Sequence, residues 1–278
     1  MKLTTLQNNP ALMGLAEQFT DIVYSTATGV SLTATILCPW KADETARHPA
    51  IVFVQGSGWT CPNPGYELPQ LSEYARAGYV VMTIRHRSRL EGHPFPAFLE
   101  DTKCAIRFLR AHADKYQVDP ERVAIFGTSS GGNTALLVAM TGDDPRYKTA
   151  EYGEYSDAVC CMVECFGPTY MEKMGSEEKN RQLVETLSGD QDHVETMRAM
   201  SPYCIARKGM SYPPMLLIHG DADTMVPYEQ MLLMGEKLDE IGADGRMICI
   251  HDAPHEGNFW SRELHRQILA FLDAHMLA

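Results

Sequence analysis

The sequence predicts an α/β protein in which a mostly parallel sheet is flanked by helices. Three observations carry this. Short apolar runs rich in β-branched residues recur along the chain, and segments of helical period fill the intervals between them. At "VAIFGTSSGGNTALL", Val123 to Leu137, one kind of segment passes directly into the other through six small residues. With 278 residues and 45% hydrophobic content, the chain has the material for one large domain spanning 1–278.

The elements follow in order. "FTDIVYST" and "VSLTATILCP" face each other across Ala27 to Gly29 as an opening hairpin. "AIVFVQG" is a buried strand, "LPQLSEYARAG" a short amphipathic helix that Gly78 ends, and "YVVMTIR" a further strand. "PAFLEDTKCAIRFLRAHADKY" reads as one long helix with Pro96 near its start, leading to the strand "DPERVAIFG". The alternation continues through "AVCCMVECFG", "PPMLLIHG", "YEQMLLMGEKLDEIG" and "GRMICIHD" to a closing helix, "SRELHRQILAFLDAHM". Between about 168 and 211 it stops, and a polar stretch there reads as short helices forming an insertion or small cap.

Charge narrows the function. Thirty-six acidic residues against 24 basic ones give a formal charge of −12, which excludes a nucleic-acid backbone as a favoured partner. No run approaches the eighteen apolar residues of a membrane span, and "MKLTTLQNNPALMGLAEQF" lacks a secretory apolar core. Of the eight cysteines, Cys38, Cys104, Cys160, Cys161, Cys165 and Cys249 fall in apolar segments. They read as buried thiols of a cytoplasmic protein, with no spacing that suggests zinc.

Ser129 sits on the turn between strand and helix, within Gly127-Thr128-Ser129-Ser130-Gly131. A strand that turns straight into a helix strains the residue at its apex, and glycines two positions away on each side keep that turn free of collisions. Taken alone the pattern fits a nucleophile or an ordinary small-residue turn, whereas a phosphate cradle lacks its lysine. A serine nucleophile also needs an imidazole base and a carboxylate to orient it. "PPMLLIHGDADTMVP" ends a strand in a loop bearing Asp221 and Asp223, and "MICIHDAPHEGNFW" ends the next in a loop bearing His255. The other histidines, His219 and His251 among them, read as surface or core residues. The oxyanion of an acyl-transfer intermediate needs N–H donors, which Ser130 at the helix start and the Gly56 to Trp59 loop can supply.

These residues carry a resemblance. "QGSGW", "FPAFLEDTKCAIRFLR", "DPERVAIFGTSSGGNTALL", "FGPT", "SPY", "HGDADTMVP" and "APHEGNF" resemble the esterase/lipase branch of the α/β-hydrolases, including hormone-sensitive-lipase-like and bacterial feruloyl or acetyl esterase-like enzymes. The resemblance implies Ser129 as nucleophile, Asp223 as acid, His255 as base, and oxyanion donors at Ser57, Gly58 and Ser130. Gln55 and Ser57 stand where the family has His and Gly. It further implies an Arg87 to Asp101 link, with Asp221 left as a structural carboxylate. The expected function is hydrolysis of small soluble esters without metal or cofactor, with Trp59 walling a pocket for short acyl groups. An amidase or peptidase of the same fold is the alternative, and a non-catalytic binding scaffold is the alternative of another class.

Overall fold

The computed structural model describes residues 3–5, 7, 15–40, 45–175 and 177–277. β1 (Ala16–Ser25) and β2 (Leu32–Pro39) form the expected antiparallel hairpin, with a register shift between Phe19 and Ile22. There follow β3 (His48–Val54), α1 (Leu68–Arg76), β4 (Val80–Ile84) and α2 (Ala97–Ala111). The single long helix expected here is divided: α3 (Ala113–Tyr116) begins after His112, where the backbone leaves the helical region. β5 (Val118–Thr128) then leads into α4 (Ser130–Met140), and β6 (Met162–Cys165) follows. Between β6 and the next strand lie α5 (Glu177–Ser188), α6 (His193–Ala199) and α7 (Pro202–Ile205), within the stretch read as an insertion. β7 (Met215–Gly220), α8 (Glu229–Ile241), β8 (Gly245–Ile250) and α9 (Arg262–Met276) complete the chain.

Among the described residues the strands form one eight-stranded sheet in the order β1-β2-β4-β3-β5-β6-β7-β8, parallel from β4 to β8. Strand periodicity divides the core between the two faces. Ala50, Val52 and Val54 of β3 face a cluster that includes Phe98 and Ile106 of α2 and Leu136 of α4. Ile51 and Phe53 face a second cluster with Tyr74 of α1 and Ile268 of α9. Both faces are therefore covered, which is why the central strands read as continuous apolar runs.

β8 is one of the two edge strands and is mostly exposed, and this corrects one expectation. Cys38, Cys104, Cys161 and Cys165 are buried, but Cys160 is part-exposed and Cys249, on the edge strand, is exposed. No helix among the described residues is long and apolar enough to cross a membrane.

Parallel pairing places the ends of β3, β5, β7 and β8 at one edge of the sheet. The loops that follow them carry Ser57, Ser129, Asp223 and His255. In open α/β sheets this carboxyl edge is where ligands bind.

Candidate active site

Ser129 has φ 52° and ψ −123°, a backbone conformation that an L-residue adopts only when its surroundings enforce it. Three features do so. Its N–H donates to the Cys165 carbonyl at 2.8 Å, and its own carbonyl accepts from Asn133 N–H in the first turn of α4. A Cβ on Gly127 would collide with the Gly131 carbonyl, and one on Gly131 with the Val54 carbonyl. The glycines are thus required by close backbone approach between β5, α4 and β3. Asn133 also donates through Nδ2 to the carbonyls of Pro168 and Met200, fastening α4 to both ends of the stretch that holds α5 and α6.

His255 Nε2 lies 3.0 Å from Ser129 Oγ, and His255 Nδ1 lies 2.7 Å from Asp223 Oδ2. The imidazole packs edge-on against Phe166, ring centres 4.6 Å apart, and Phe166 packs in turn on Phe259. Asp223 Oδ1 accepts from the N–H groups of Met225 and Val226, at 2.8 and 3.0 Å. Burial opposes ionisation of Asp223. The contacts from His219 and His255 and these two N–H bonds outweigh it, holding the carboxyl far below the usual carboxylate range. An ionised Asp223 that accepts from Nδ1–H leaves Nε2 with its lone pair toward the Ser129 hydroxyl, which is what removal of the serine proton requires.

Sequence reasoning missed His219. It is fully buried, with Nε2 3.0 Å from the Val226 carbonyl and 3.3 Å from Asp223 Oδ2. Burial disfavours its charged form, but Asp223, Glu164 and the Val226 carbonyl prevail and raise its pKa. Glu164, also fully buried, is pushed up to about 7, chiefly by burial, and accepts a hydrogen bond from Gly167 N–H. Asp223 Oδ2 therefore serves two imidazoles. The one available signal was position: His219 is the penultimate residue of β7, four residues before the acid.

The loop after β3 is tied down at almost every polar group. Gly56 N–H donates to Thr128 Oγ1 at 2.9 Å, and Ser57 N–H donates to Ser130 Oγ at 2.9 Å. Ser57 O accepts from Thr60 N–H and from Thr60 Oγ1. The Ser57 N–H, expected to face an oxyanion, is thus spent on the Ser130 hydroxyl, an acceptor that an alanine at 130 would not present. The N–H groups of Gly58, Trp59 and Ser130 have no hydrogen-bond partner among the described residues. Gly58 and Trp59 are both left-handed, with φ of 61° and 57°. The Trp59 indole, expected to wall an acyl pocket, is 3% exposed and packs on Phe98, and its Nε1–H lacks a partner among the described residues. Gln55 Oε1 accepts from Asn63 N–H at 2.6 Å, so the residue in the family's histidine position holds the far end of the same loop.

Two other residues read from the sequence make contacts away from Ser129. Arg87 donates through Nε and its own N–H to buried Asp101, at 2.9 and 2.8 Å, and through Nη2 to Glu100. Asp221 accepts from His251 Nδ1 at 2.8 Å and from Asp252 N–H at 2.6 Å. Asp221, His251 and Asp252 are also the one trio among the described residues whose ligand atoms could converge on a metal. All three are exposed, and Asp221 is already engaged by the other two.

A family model described as BD-FAE matches residues 36–238. The esterase LipC of Mycobacterium tuberculosis is 33% identical over 217 residues, covering 74% of this chain and 52% of LipC. The chain spans about half the length of the curated relatives it matches. A truncated carbohydrate esterase from gut microbiota superposes with a TM-score of 0.80 at 27% identity, covering 97% of this chain and 99% of that one. The esterase Est2 of Thermogutta terrifontis, solved with propionate bound, superposes with a TM-score of 0.76 at 25% identity, covering 96% and 95%.

Proposed function

The chain belongs to the BD-FAE family and has the α/β-hydrolase fold, and on that premise we propose that it is a serine esterase acting on small soluble carboxylic esters. The observation that carries this reading is the line from Asp223 Oδ2 through His255 to Ser129 Oγ, with contacts of 2.7 and 3.0 Å. Ser129 Oγ attacks the ester carbonyl while its proton passes to His255 Nε2. The carbonyl oxygen takes up negative charge and is met by backbone N–H groups, among them that of Ser130 at the start of α4. His255 returns the proton to the departing alcohol, and a water activated by the same imidazole then releases the acid from the acyl-enzyme.

The esterase names of LipC and of the two solved structures support ester hydrolysis. The propionate in Est2 supports a short acyl group. Residues 168–211 are read as an insertion or small cap within a single domain. The buried thiols of Cys38, Cys104, Cys161 and Cys165 support a reducing, cytoplasmic setting.

The test is a panel of p-nitrophenyl esters of rising chain length, acetylated sugars and aryl amides, run on the native protein and on Ser129→Ala. Turnover should be highest from acetyl to about hexanoyl esters. Ser129→Ala should lose at least ~10³-fold with unchanged folding. Fastest turnover of decanoyl or longer esters would refute the short-chain assignment. A panel in which only the amides are cleaved would refute the ester reading.

A further inference from the structure

Arg89 is the first residue of a short 3₁₀ turn, Arg89–Glu91, that Ser88 caps by accepting from Leu90 N–H. The turn fixes where the Arg89 main chain lies, and its N–H donates to the Trp59 carbonyl at 3.1 Å. The side chain reaches the preceding peptide as well, where Nε donates to the Gly58 carbonyl at 2.7 Å. One residue therefore grips both peptide planes that flank the Trp59 Cα. That position needs gripping, because a bulky side chain at φ 57° persists only where neighbours over-determine it.

The consequence reaches the oxyanion donors. A trans peptide is planar, with its C=O and N–H pointing in opposite directions, so fixing the Gly58 carbonyl also fixes where the Trp59 N–H points. The Ser57 carbonyl, held by Thr60, does the same for the Gly58 N–H. These are the two loop N–H groups without a partner among the described residues, whereas those of Gly56 and Ser57 are already used.

The same guanidinium extends beyond the loop. Its Nη1 donates to Thr186 Oγ1 on α5 at 2.5 Å, and that hydroxyl donates in turn to the Gln182 carbonyl one turn earlier. Among the described residues no carboxylate lies within ion-pair distance of Arg89, so its bonding is directed at the loop and the helix rather than at a counter-charge.

We propose that Arg89 is a positioning residue for oxyanion stabilisation: it locks the peptide between Gly58 and Trp59, and so the Trp59 N–H, into donor orientation and makes that lock depend on contact with helix α5. The proposal rests on the serine esterase reading above. It gives the stretch between β6 and β7 a part in the chemical step, beyond covering the site.

The test compares Arg89→Ala, Arg89→Lys and Thr186→Val with the native enzyme. Each is measured for kcat and KM on a short-chain p-nitrophenyl ester and for affinity toward a trifluoromethyl ketone. Ser129 Oγ adds to the ketone carbon and its proton passes to His255, so the ketone oxygen becomes an alkoxide that needs the same donors as the transition state. Arg89→Ala should lower kcat by about 10- to 100-fold with KM within about threefold, and ketone affinity should fall by a matching factor. Thr186→Val should lose about 2- to 5-fold in the same two quantities. Arg89→Lys, which keeps one donor for the Gly58 carbonyl, should recover part of the loss. A fall in kcat with ketone affinity unchanged would overturn the proposal, as would a loss confined to KM or to melting temperature. Arg89→Ala matching an active native enzyme overturns this inference alone, whereas a native enzyme that cleaves no ester overturns the esterase reading on which it rests.

Discussion

Two aspartate–histidine pairs lie side by side at the ends of β7 and β8, and they differ almost only in their surroundings. Asp221 holds His251 Nδ1 at 2.8 Å, and Asp223 holds His255 Nδ1 at 2.7 Å. Their side chains are 29% and 83% exposed in the first pair, but 0% and 10% in the second. In the exposed pair the hydrogen bond competes with water and with salt, and its second carboxylate oxygen fastens a loop N–H. In the buried pair every lone pair of the acid is used, and Phe166 holds the imidazole edge-on with Nε2 toward Ser129. Identical pairing chemistry thus yields a loop clasp in one case and an imidazole aimed at Ser129 in the other, and what distinguishes them is burial and a third partner.

Removing the charge from each acid in turn puts that contrast to its hardest test. Asp223→Asn should lower kcat by ~10³- to 10⁴-fold near neutral pH, because an amide at 223 favours the wrong tautomer of His255. Asp221→Asn should leave kcat within about threefold, its effect confined to the loop clasp. Steady-state kinetics on equally folded proteins decides, and the opposite ranking would move the acid to Asp221.

A smaller effect is expected at the imidazole that only the buried pair has beneath it. His219→Leu, which removes the donor, should cost about 10-fold in kcat by loosening Asp223, together with about 1–3 kcal/mol of stability from the unpaired Val226 carbonyl. Denaturant unfolding paired with kinetics separates the two effects. Full activity in a destabilised protein would confine His219 to packing.

The smallest and most gradual effect belongs to Glu67, a buried carboxyl whose Oε1 lies 3.4 Å from Thr128 Oγ1, beside Ser129. Burial first, and the charge of Glu256 second, push it up to about 8. Its folded form therefore keeps a proton that the unfolded chain releases near 4.5, and the native protein loses stability as pH rises from there toward about 8. Glu67→Gln should remove this slope, so the variant's advantage over the native protein should widen between about pH 5 and 8. Chemical denaturation at a series of pH values reads it directly, and a difference that stays flat would place the ionised form in the folded state.

Much of this was legible in the sequence because backbone constraints wrote it there. The glycines around Ser129 and the apolar runs of β3, β5 and β7 are consequences of close approach and burial, and both leave compositional traces. The order Ser129, Asp223, His255 was legible for the same reason, each residue following a recognisable strand. What escaped depended on side-chain direction. Nothing local distinguishes His219, turned inward at a strand end, from exposed His251, and nothing announces that the Ser130 hydroxyl takes the Ser57 N–H. Arg89 carries no local signal because its partners, Gly58, Trp59 and Thr186, lie about 30 and 97 residues away in the chain. The break at His112 and the exposure of Cys249 were likewise set by packing rather than by propensity.

The central claim is that Ser129 is the nucleophile, and covalent trapping tests it most directly. Native protein and the Asp223→Asn and Asp221→Asn variants are treated with a fluorophosphonate, and the modified peptide is mapped by mass spectrometry. A single phosphonyl adduct on Ser129 is expected, forming rapidly in the native protein and in Asp221→Asn and far more slowly in Asp223→Asn. An adduct on any other residue, or equal labelling rates in all three proteins, would contradict the account.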